Sequence, residues 1–280
     1  MCIRHILALI VFFEVFMTEK CLPIAVFDSG IGGVSVLREL VNIMPHENFI
    51  YFGDTANAPY GTKSAEKVRE MTFSVYEKLK ARGIKAFVIA CNTATSVAVA
   101  SLREKYQNDI IIGVEPALKP AVMSGVHPTV AVFATPLTLK EEKFALLLSR
   151  FENKANVIPF ACPGLVEFVE RGEVEGEELH SFLLELFAPL MDKNLDAIVL
   201  GCTHYPFVKK EISAILGEKV KIFDGSMGTA LNTRRRLEEA NLLNDTEQKG
   251  RVIFIDSSYP NEENASDSML VNFGGEYLCS

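Results

Sequence analysis

Two cysteines, Cys91 and Cys202, stand in the same setting: each follows a short apolar run and precedes a helical stretch. A helix N-terminus stabilises a thiolate through its dipole and free backbone N–H groups, so we expect the pKa of each thiol to fall towards neutrality. Two such groups on opposite faces of a carbon acid could invert the configuration of its α-carbon, because one would remove the α-proton and the other would return a proton. A single cysteine of this kind more often packs in a core, but the repeated setting favours a pair of bases.

Two further polar residues are placed to assist these thiols. His204 lies two residues after Cys202 and could pair with its thiolate or exchange its proton. Asp28 ends an apolar run and opens the glycine-rich stretch 28–33, where it could bind an ammonium group, modulate a nearby base or cap a helix. This stretch is not a dinucleotide fingerprint, because Ser35 stands where a third glycine is required.

The surrounding loops favour a carboxylate ligand over a phosphate. No lysine or arginine occurs in 28–33, 91–93 or 202–204, so a phosphate clamp is disfavoured. The turn at 59–61 would present backbone N–H groups and the phenol of Tyr60. Hydroxyl and amide groups that could hold carboxylates are supplied by Ser29, Asn92, Thr93, Thr135, Thr138 and Thr203.

The elements that must position these residues form an α/β pattern, in which short apolar runs alternate with helical stretches. The predicted strands are 24–27, 48–52, 86–90, 110–114, 129–133, 156–159, 197–200, 221–223 and 251–255. The predicted helices are 34–41, 63–82, 94–105, 139–150, 177–193, 205–216 and 227–239. This alternation predicts parallel sheets flanked by helices.

The chain also resembles itself in two places. Segment 25–30 is similar to 131–136, and 87–93 is similar to 198–204, with one strand-end cysteine in each member of the second pair. We interpret this as a duplicated α/β half, although chance likeness among strand ends would give a similar pattern. Because ligands bind beyond the carboxyl ends of parallel strands, two facing halves would bring both cysteines to one cleft.

Composition narrows the classes of function. The chain has 280 residues, a formal net charge of −8 and 49% hydrophobic residues, which is typical of a globular protein with a large core. An acidic chain lacks a basic surface for nucleic acid, so no nucleic-acid partner is expected. Six scattered cysteines without a C-x-x-C pair argue against a zinc ribbon or a disulfide scaffold, and no local cluster completes a metal site with Cys202 and His204.

The N-terminus carries an apolar run at 6–13 that is too short to span a bilayer. No small-residue cleavage pattern follows it, which disfavours a signal peptide. We expect the functional chain to begin at Met17, with residues 1–16 as an extension. The alternatives are that residues 1–16 form a weak signal peptide or an extra helix.

Six sequence segments together resemble the cofactor-independent aspartate/glutamate racemase family, and its glutamate-specific members in particular. The resemblance covers about residues 24–241. The segments are AVFDSGIGGVSVLREL, YFGDTANAPYG, VIACNTATSVA, GVEPALKPAV, ACPGLVEFVE and LGCTHYP. By this resemblance, Cys91 is the acid/base that acts on D-glutamate and Cys202 the one that acts on L-glutamate.

The resemblance also assigns supporting roles. Asp28 and His204 match residues that assist the two thiols, and Glu170 matches an auxiliary acidic position. Glu167 departs from the pattern, because many relatives carry proline there. Positions that match substrate-binding residues are Ser29, Tyr60, Gly61, Asn92, Thr93 and Thr203.

The family fold is two similar Rossmann-like or flavodoxin-like α/β domains, related by a pseudo-twofold axis, with mainly parallel sheets and the active site between them. We therefore assign 17–115 plus 226–280 to the first domain and 116–225 to the second. The implied protein is a cytoplasmic bacterial enzyme, a homodimer without cofactor, metal or membrane partner, that supplies D-glutamate for peptidoglycan.

Reaction at one carbon sets a distance between the sulfurs. If each lies about 3–3.5 Å from the carbon, the two are about 6–7 Å apart and cannot form a disulfide. Two other functions remain open at this point. One is a racemase for aspartate or another acidic amino acid, and the other is a non-catalytic protein that regulates a partner.

Overall fold

The computed structural model describes residues 19–259, so the predicted extension 1–16, the predicted start at Met17 and the residues after 259 lie outside the described part. Within it, nine strands form two sheets in which every pairing is parallel. They are β1 (Ile24–Asp28), β2 (Phe49–Gly53), β3 (Ala86–Ile89), β4 (Ile111–Gly113), β5 (Thr129–Ala134), β6 (Asn156–Ala161), β7 (Ala197–Leu200), β8 (Lys221–Asp224) and β9 (Val252–Asp256). All nine predicted strands are confirmed.

The two sheets repeat the same strand order. The first runs β4-β3-β1-β2-β9 and the second, read in the same sense, runs β8-β7-β5-β6. Strands β1 to β4 therefore correspond in order to β5 to β8, which agrees with the internal repeat. The chain returns to the first sheet for β9, whereas the domain boundaries at 115/116 and 225/226 stay a prediction.

Ten α-helices flank these sheets in the described residues. They are α1 (Val34–Ile43), α2 (Ala65–Ala81), α3 (Asn92–Lys105), α4 (Leu118–Val122), α5 (Pro136–Lys140), α6 (Glu142–Ser149), α7 (Leu165–Glu170), α8 (Glu177–Phe187), α9 (Lys209–Leu216) and α10 (Ser226–Glu239). Helix α10 packs against α1 and so lies beside the first sheet. None of the helices within residues 19–259 is long and apolar enough to cross a membrane.

Three helix predictions need correction. The predicted helix 177–193 ends at Phe187 as α8, and a 3-10 turn over Ala188–Leu190 follows it. The predicted helix 139–150 is two helices, α5 and α6, because Glu141 between them is extended at φ −77° and ψ 139°. The predicted helix 205–216 opens as a 3-10 turn over Tyr205–Val208 before α9 begins. The short helix α4 was not predicted, since five residues give too little periodicity to detect.

The burial of the strands explains why their sequences are continuous apolar runs. Every residue of β1, β3 and β7 is buried, as expected when helices cover both faces of a parallel sheet. One cluster of buried side chains joins the two halves, since it includes Val26 of β1 and Phe133 of β5. This packed core fixes the positions of the carboxyl ends of β1, β3 and β7.

Candidate active site

Both cysteines lie directly beyond strand ends, at equivalent places in the two sheets. Cys91 follows β3 and caps α3, with its Sγ accepting a hydrogen bond from the Ala94 N–H at 3.4 Å. Cys202 follows β7, the strand of the second sheet that corresponds to β3. Both thiols are free and buried.

A cavity of about 120 Å³ has both thiols in its wall. The wall also includes the strand-end residue Ser29, the loop after β6 and the turn that carries Tyr60. The site residues predicted from sequence that line this cavity are Ser29, Tyr60, Gly61, Cys91, Thr93, Thr135, Cys202, Thr203 and His204. The two halves of the molecule therefore meet at one cleft.

Cys202 begins a chain of polar contacts. Its Sγ lies 3.7 Å from His204 Nδ1, and His204 Nε2 lies 2.5 Å from Glu170 Oε1. The same carboxylate oxygen accepts the Ile31 N–H of the first half at 3.2 Å. No group of three or more metal-binding side chains occurs within residues 19–259.

The surroundings of His204 keep its imidazole protonated. Burial alone would lower its pKa, but the hydrogen bonds and charges of Cys202 and Glu170 outweigh burial and raise the pKa well above its usual value. Both ring nitrogens then carry protons, one facing the Cys202 sulfur and the other facing Glu170. Cys202 therefore has a cation 3.7 Å away.

Cys91 has a different environment. Its Sγ lies 3.4 Å from Ser29 Oγ, where the thiol donates to the hydroxyl. Burial and the nearby charge of Asp28 raise the pKa of Cys91 to about 12, against smaller lowering effects from Ser29 and Ala94. The prediction of a lowered pKa is wrong for Cys91, because removal from water outweighs one helix N–H group.

Asp28 does not line the cavity. Its side chain is fully buried, and its oxygens accept the Gly30 N–H and the Thr203 hydroxyl, both at 3.1 Å. Burial raises the pKa of Asp28, although His204 opposes this. Asp28 therefore links the two halves, and its predicted role as a partner for a substrate ammonium group stays a prediction.

The glycines after Asp28 allow close approach by the second half. A Cβ on Gly30 would lie 1.9 Å from Glu170 Oε1, and a Cβ on Gly32 would lie 2.5 Å from His204 Nδ1. The glycine-rich stretch therefore lets Glu170 and His204 pack against the end of β1.

Tyr60 lines the cavity, but its phenol points to a protein partner. The hydroxyl donates to Asp54 Oδ2 at 2.6 Å, and burial, followed by Asp54, raises the pKa of Tyr60 well above its usual value. The expected presentation of this phenol to a ligand is therefore not seen. Gly61 brings the turn close to Thr135, since a Cβ there would lie 3.0 Å from that side chain.

Three threonines join α3 to α5. Thr93 Oγ1 lies 3.0 Å from Thr135 Oγ1 and 3.3 Å from Thr138 Oγ1. Thr138 faces a second cavity of about 90 Å³, together with Asn92, whose buried Oδ1 has no hydrogen-bond partner in the described residues. The structure thus places Asn92 and Thr138 beside the thiol cavity, not in its lining.

The lining residues that were not predicted as part of the site include one cysteine and one acidic residue. Cys162, expected only to pack, is buried, yet it lines the cavity, and its pKa is raised by burial and by Cys202. Glu167 also lines the cavity. The one sequence signal for Cys162 is its position directly after β6, which corresponds to β2 in the repeat.

A family model supports the sequence resemblance. The model for Asp/Glu/Hydantoin racemase matches residues 24–228. A glutamate racemase from Clostridium novyi is 49% identical over 242 residues, covering 86% of this chain and 93% of that protein. A glutamate racemase from Clostridium perfringens is 51% identical over 238 residues, covering 85% of this chain and 92% of that protein.

Solved structures agree in fold. The crystal structure of glutamate racemase from Francisella tularensis in complex with D-glutamate matches with a TM-score of 0.78 and 33% identity, covering 93% of this chain and 95% of that one. A glutamate racemase isoform from Bacillus anthracis matches with a TM-score of 0.82 and 29% identity, covering 91% and 95%. The two-sheet α/β fold is therefore shared with these enzymes.

Proposed function

The chain belongs to the Asp/Glu/hydantoin racemase family, and we propose that it interconverts L- and D-glutamate with two thiols as acid and base. The observation that carries this proposal is that Cys91 and Cys202, two buried residues from equivalent strand ends of two sheets, line one cavity. The clostridial relatives, at about half identity over most of the chain, support glutamate as the substrate.

The proposed reaction is two proton transfers at the α-carbon. The Cys202 thiolate takes the α-proton of L-glutamate, so that an S–H bond forms, the C–H bond breaks and the electron pair stays on the carbon and its carboxylate. The Cys91 thiol then delivers its proton to the opposite face, giving D-glutamate and a Cys91 thiolate. The reverse sequence converts D-glutamate, so protons and electrons balance without a cofactor.

The charges around the two thiols suit a reaction that begins with L-glutamate. His204 stays protonated beside Cys202, because its pKa is raised. Cys91 stays neutral, because its pKa is raised to about 12. We therefore infer that Cys91 rests as a neutral thiol, which is the proton donor that the reaction of L-glutamate requires.

Donors in the cavity wall can hold the substrate carboxylates without a lysine or arginine. The turn at Gly61 contributes backbone, and hydroxyl groups come from Ser29, Thr93, Thr135 and Thr203. Such fixed donors stabilise the negative charge that develops during proton removal. The mechanism requires a sulfur separation of about 6–7 Å, so that one carbon can lie between the two thiols.

We also propose a cellular role from the family resemblance. The product D-glutamate would enter bacterial peptidoglycan synthesis in the cytoplasm, and the enzyme would act as a homodimer. The bacterial origin of the relatives supports the first part of this proposal.

The test is to incubate the pure protein with L-glutamate in D2O without added cofactor, following optical rotation and α-deuteration. Racemisation with deuterium uptake is the expected result for the wild type, and loss of racemisation is expected in both Cys91→Ser and Cys202→Ser. Turnover of aspartate but not glutamate would move the assignment to an aspartate racemase. No turnover of either amino acid would favour the non-catalytic regulator.

A further inference from the structure

The turn at residues 59–62 forms one part of the cavity wall. All four of its residues line the cavity that has both thiols in its wall. Between the end of β2 and the start of α2, the chain forms two short 3-10 turns, Thr55–Asn57 and Tyr60–Thr62. Such turns have few backbone hydrogen bonds of their own, so side-chain contacts must fix the position of this part of the wall.

Asp54 attaches this segment to the first sheet. It directly follows β2, and its backbone N–H donates to the Asp28 carbonyl oxygen, at the end of β1, at 3.0 Å. Asp54 is buried, and its carboxylate accepts the Tyr60 hydroxyl at 2.6 Å and the Asn57 side-chain amide at 3.0 and 3.2 Å. One carboxylate at the end of β2 therefore binds both 3-10 turns.

Tyr60 connects Asp54 to the cavity wall. Its ring is buried, and the ring centroid lies 6.1 Å from that of Phe27 in β1. The next residue, Gly61, lies so close to the second half of the molecule that a Cβ there would be 3.0 Å from the Thr135 side chain. Asp54 itself is not among the described residues that line the cavity, so it acts on the cavity through Tyr60.

We propose that Asp54 is a positioning residue, whose hydrogen bond to Tyr60 holds the turn 59–62 where its backbone can bind a substrate carboxylate. This inference rests on the proposed function, since it takes glutamate as the ligand. Both carboxylates of glutamate are already charged when it binds, so a group that holds one of them contributes to binding of the substrate itself. Loss of the bond between Asp54 and Tyr60 should therefore raise KM more than it lowers kcat.

Two other roles of this bond make different predictions. If the bond only stabilises the fold, its loss lowers thermal stability, and the molecules that stay folded bind glutamate as before. If the Tyr60 hydroxyl itself binds the substrate, substitutions of Asp54 and Tyr60 act on different contacts, and their effects on binding add. In a positioning role the effects do not add, because both substitutions break the same bond.

The experiment compares Tyr60→Phe, Asp54→Ala, the double variant and Asp54→Asn. The Kd is measured by calorimetry with racemic glutamate, whose composition turnover does not change, and KM and kcat are measured in parallel. We expect Tyr60→Phe and Asp54→Ala each to bind glutamate about five- to tenfold more weakly, as for the loss of one hydrogen bond, with kcat changed by less than about threefold.

The remaining two variants test whether Asp54 acts through Tyr60. The double variant should bind glutamate no more weakly than Asp54→Ala does. Asp54→Asn should stay within about twofold of the wild-type Kd, because its amide oxygen can still accept the Tyr60 hydroxyl.

Tyr76→Phe is the matched control. Tyr76 belongs to the same buried cluster as Tyr60, and its hydroxyl also donates to an aspartate, Asp109. Tyr76 is not among the cavity-lining residues of the described chain. Its substitution should lower thermal stability and leave the Kd of glutamate unchanged, and thermal unfolding is measured for every variant.

Weaker binding in Asp54→Ala that Asp54→Asn restores, with no further loss in the double variant, would support the inference. Additive losses, equal weakening in Tyr76→Phe or unchanged binding in Asp54→Ala would overturn it, even if the protein racemises glutamate. A wild-type protein that binds glutamate, with the expected effects in the variants, but does not racemise it would refute the proposed function alone. A wild-type protein that binds no glutamate would refute both.

Discussion

Cys91 and Cys202 follow equivalent strands, β3 and β7, but they face different partners. Cys202 has the protonated His204 beside it, backed by Glu170. Cys91 has the Ser29 hydroxyl and one helix N–H group, with the charge of Asp28 nearby. The repeated fold gives the two thiols matching positions, and the unrepeated loops surround them with different polar groups.

This difference has a consequence for a racemase. The two enantiomers of glutamate have equal free energy, so at equilibrium equal concentrations must be converted at equal rates in the two directions. In the proposed mechanism, each conversion of L- to D-glutamate leaves the proton on Cys202 and a thiolate at Cys91, and the raised pKa of Cys91 disfavours that thiolate. The proton must then return to Cys91 before L-glutamate can react again.

The largest expected effect comes from replacing either thiol. Cys91→Ser and Cys202→Ser should each slow racemisation by about 10²- to 10⁴-fold, since a serine hydroxyl is a much weaker acid and base. If the two sites act on different faces, Cys91→Ser should still exchange the α-proton of L-glutamate in D2O, and Cys202→Ser that of D-glutamate. Proton NMR of each enantiomer measures this directly.

Exchange of both enantiomers by one single variant would contradict the assignment of one thiol to each face. Circular dichroism of the folded variants is the control, because serine in these buried positions is smaller and more polar than cysteine. Loss of all exchange in both variants, with native folding, would show that the thiols do not act independently.

A smaller effect is expected from disturbing the Cys202 side alone. In Gly30→Ala the new Cβ would lie 1.9 Å from Glu170 Oε1, so the carboxylate must move and lose its bonds to His204 and Ile31. We expect kcat to fall by about 100-fold, the usual scale for misplacing a reacting group. Steady-state kinetics with L-glutamate measure the change.

The matched control is Gly228→Ala, where no atom lies within 4 Å of the new Cβ. Because Gly228 lies inside α10, alanine should stabilise the protein by about 0.5–1 kcal/mol and leave kcat unchanged. Urea unfolding measures the stability. Equal activity in both glycine variants would show that the position of Glu170 does not matter to turnover.

The charge of Glu170 should affect the pH dependence of kcat/KM. Glu170 is one of the groups that raise the pKa of His204, so Glu170→Gln should lower that pKa and let His204 lose its proton at a lower pH. The alkaline fall in kcat/KM should then begin at lower pH than in wild type, with kcat reduced about tenfold at neutral pH. The control is Glu175→Gln, which removes the same charge from an exposed loop residue outside the cavity. A pH profile that does not move, compared with wild type and Glu175→Gln, would exclude His204 as the group that titrates.

The sequence was sufficient for the sheets and for the shared cleft. All nine strands were predicted, because buried parallel strands are uninterrupted apolar runs, and the repeat placed Cys91 and Cys202 at equivalent strand ends. The break at Glu141 was missed because the flanking residues keep a helical pattern of apolar positions through it. Strand positions depend on local pattern, whereas this break depends on backbone conformation at one residue.

The polar details of the site depend on contacts between distant parts of the chain. Asp28 is engaged by Thr203, and the Tyr60 phenol by Asp54, so neither side chain is free in the way that sequence suggested. The pKa of Cys91 was misjudged because its degree of burial is a tertiary property. Glu167 gave no local signal, since an acidic residue near a helix start is commonplace.

The smallest effect is expected from removing the Ser29 hydroxyl beside Cys91. The Ser29 hydroxyl lies 3.4 Å from Cys91 Sγ, and it can accept from the thiol or donate to the thiolate. In Ser29→Ala the thiolate loses this donor, so the pKa of Cys91 should rise further and exchange from D-glutamate should slow by about three- to tenfold. Exchange from L-glutamate, which starts at Cys202, should change less, and proton NMR in D2O measures both rates. Equal slowing for the two enantiomers would mean that Ser29 acts on the substrate and not on the thiol, and the difference between the two thiol sites would then rest on His204 and Glu170 alone.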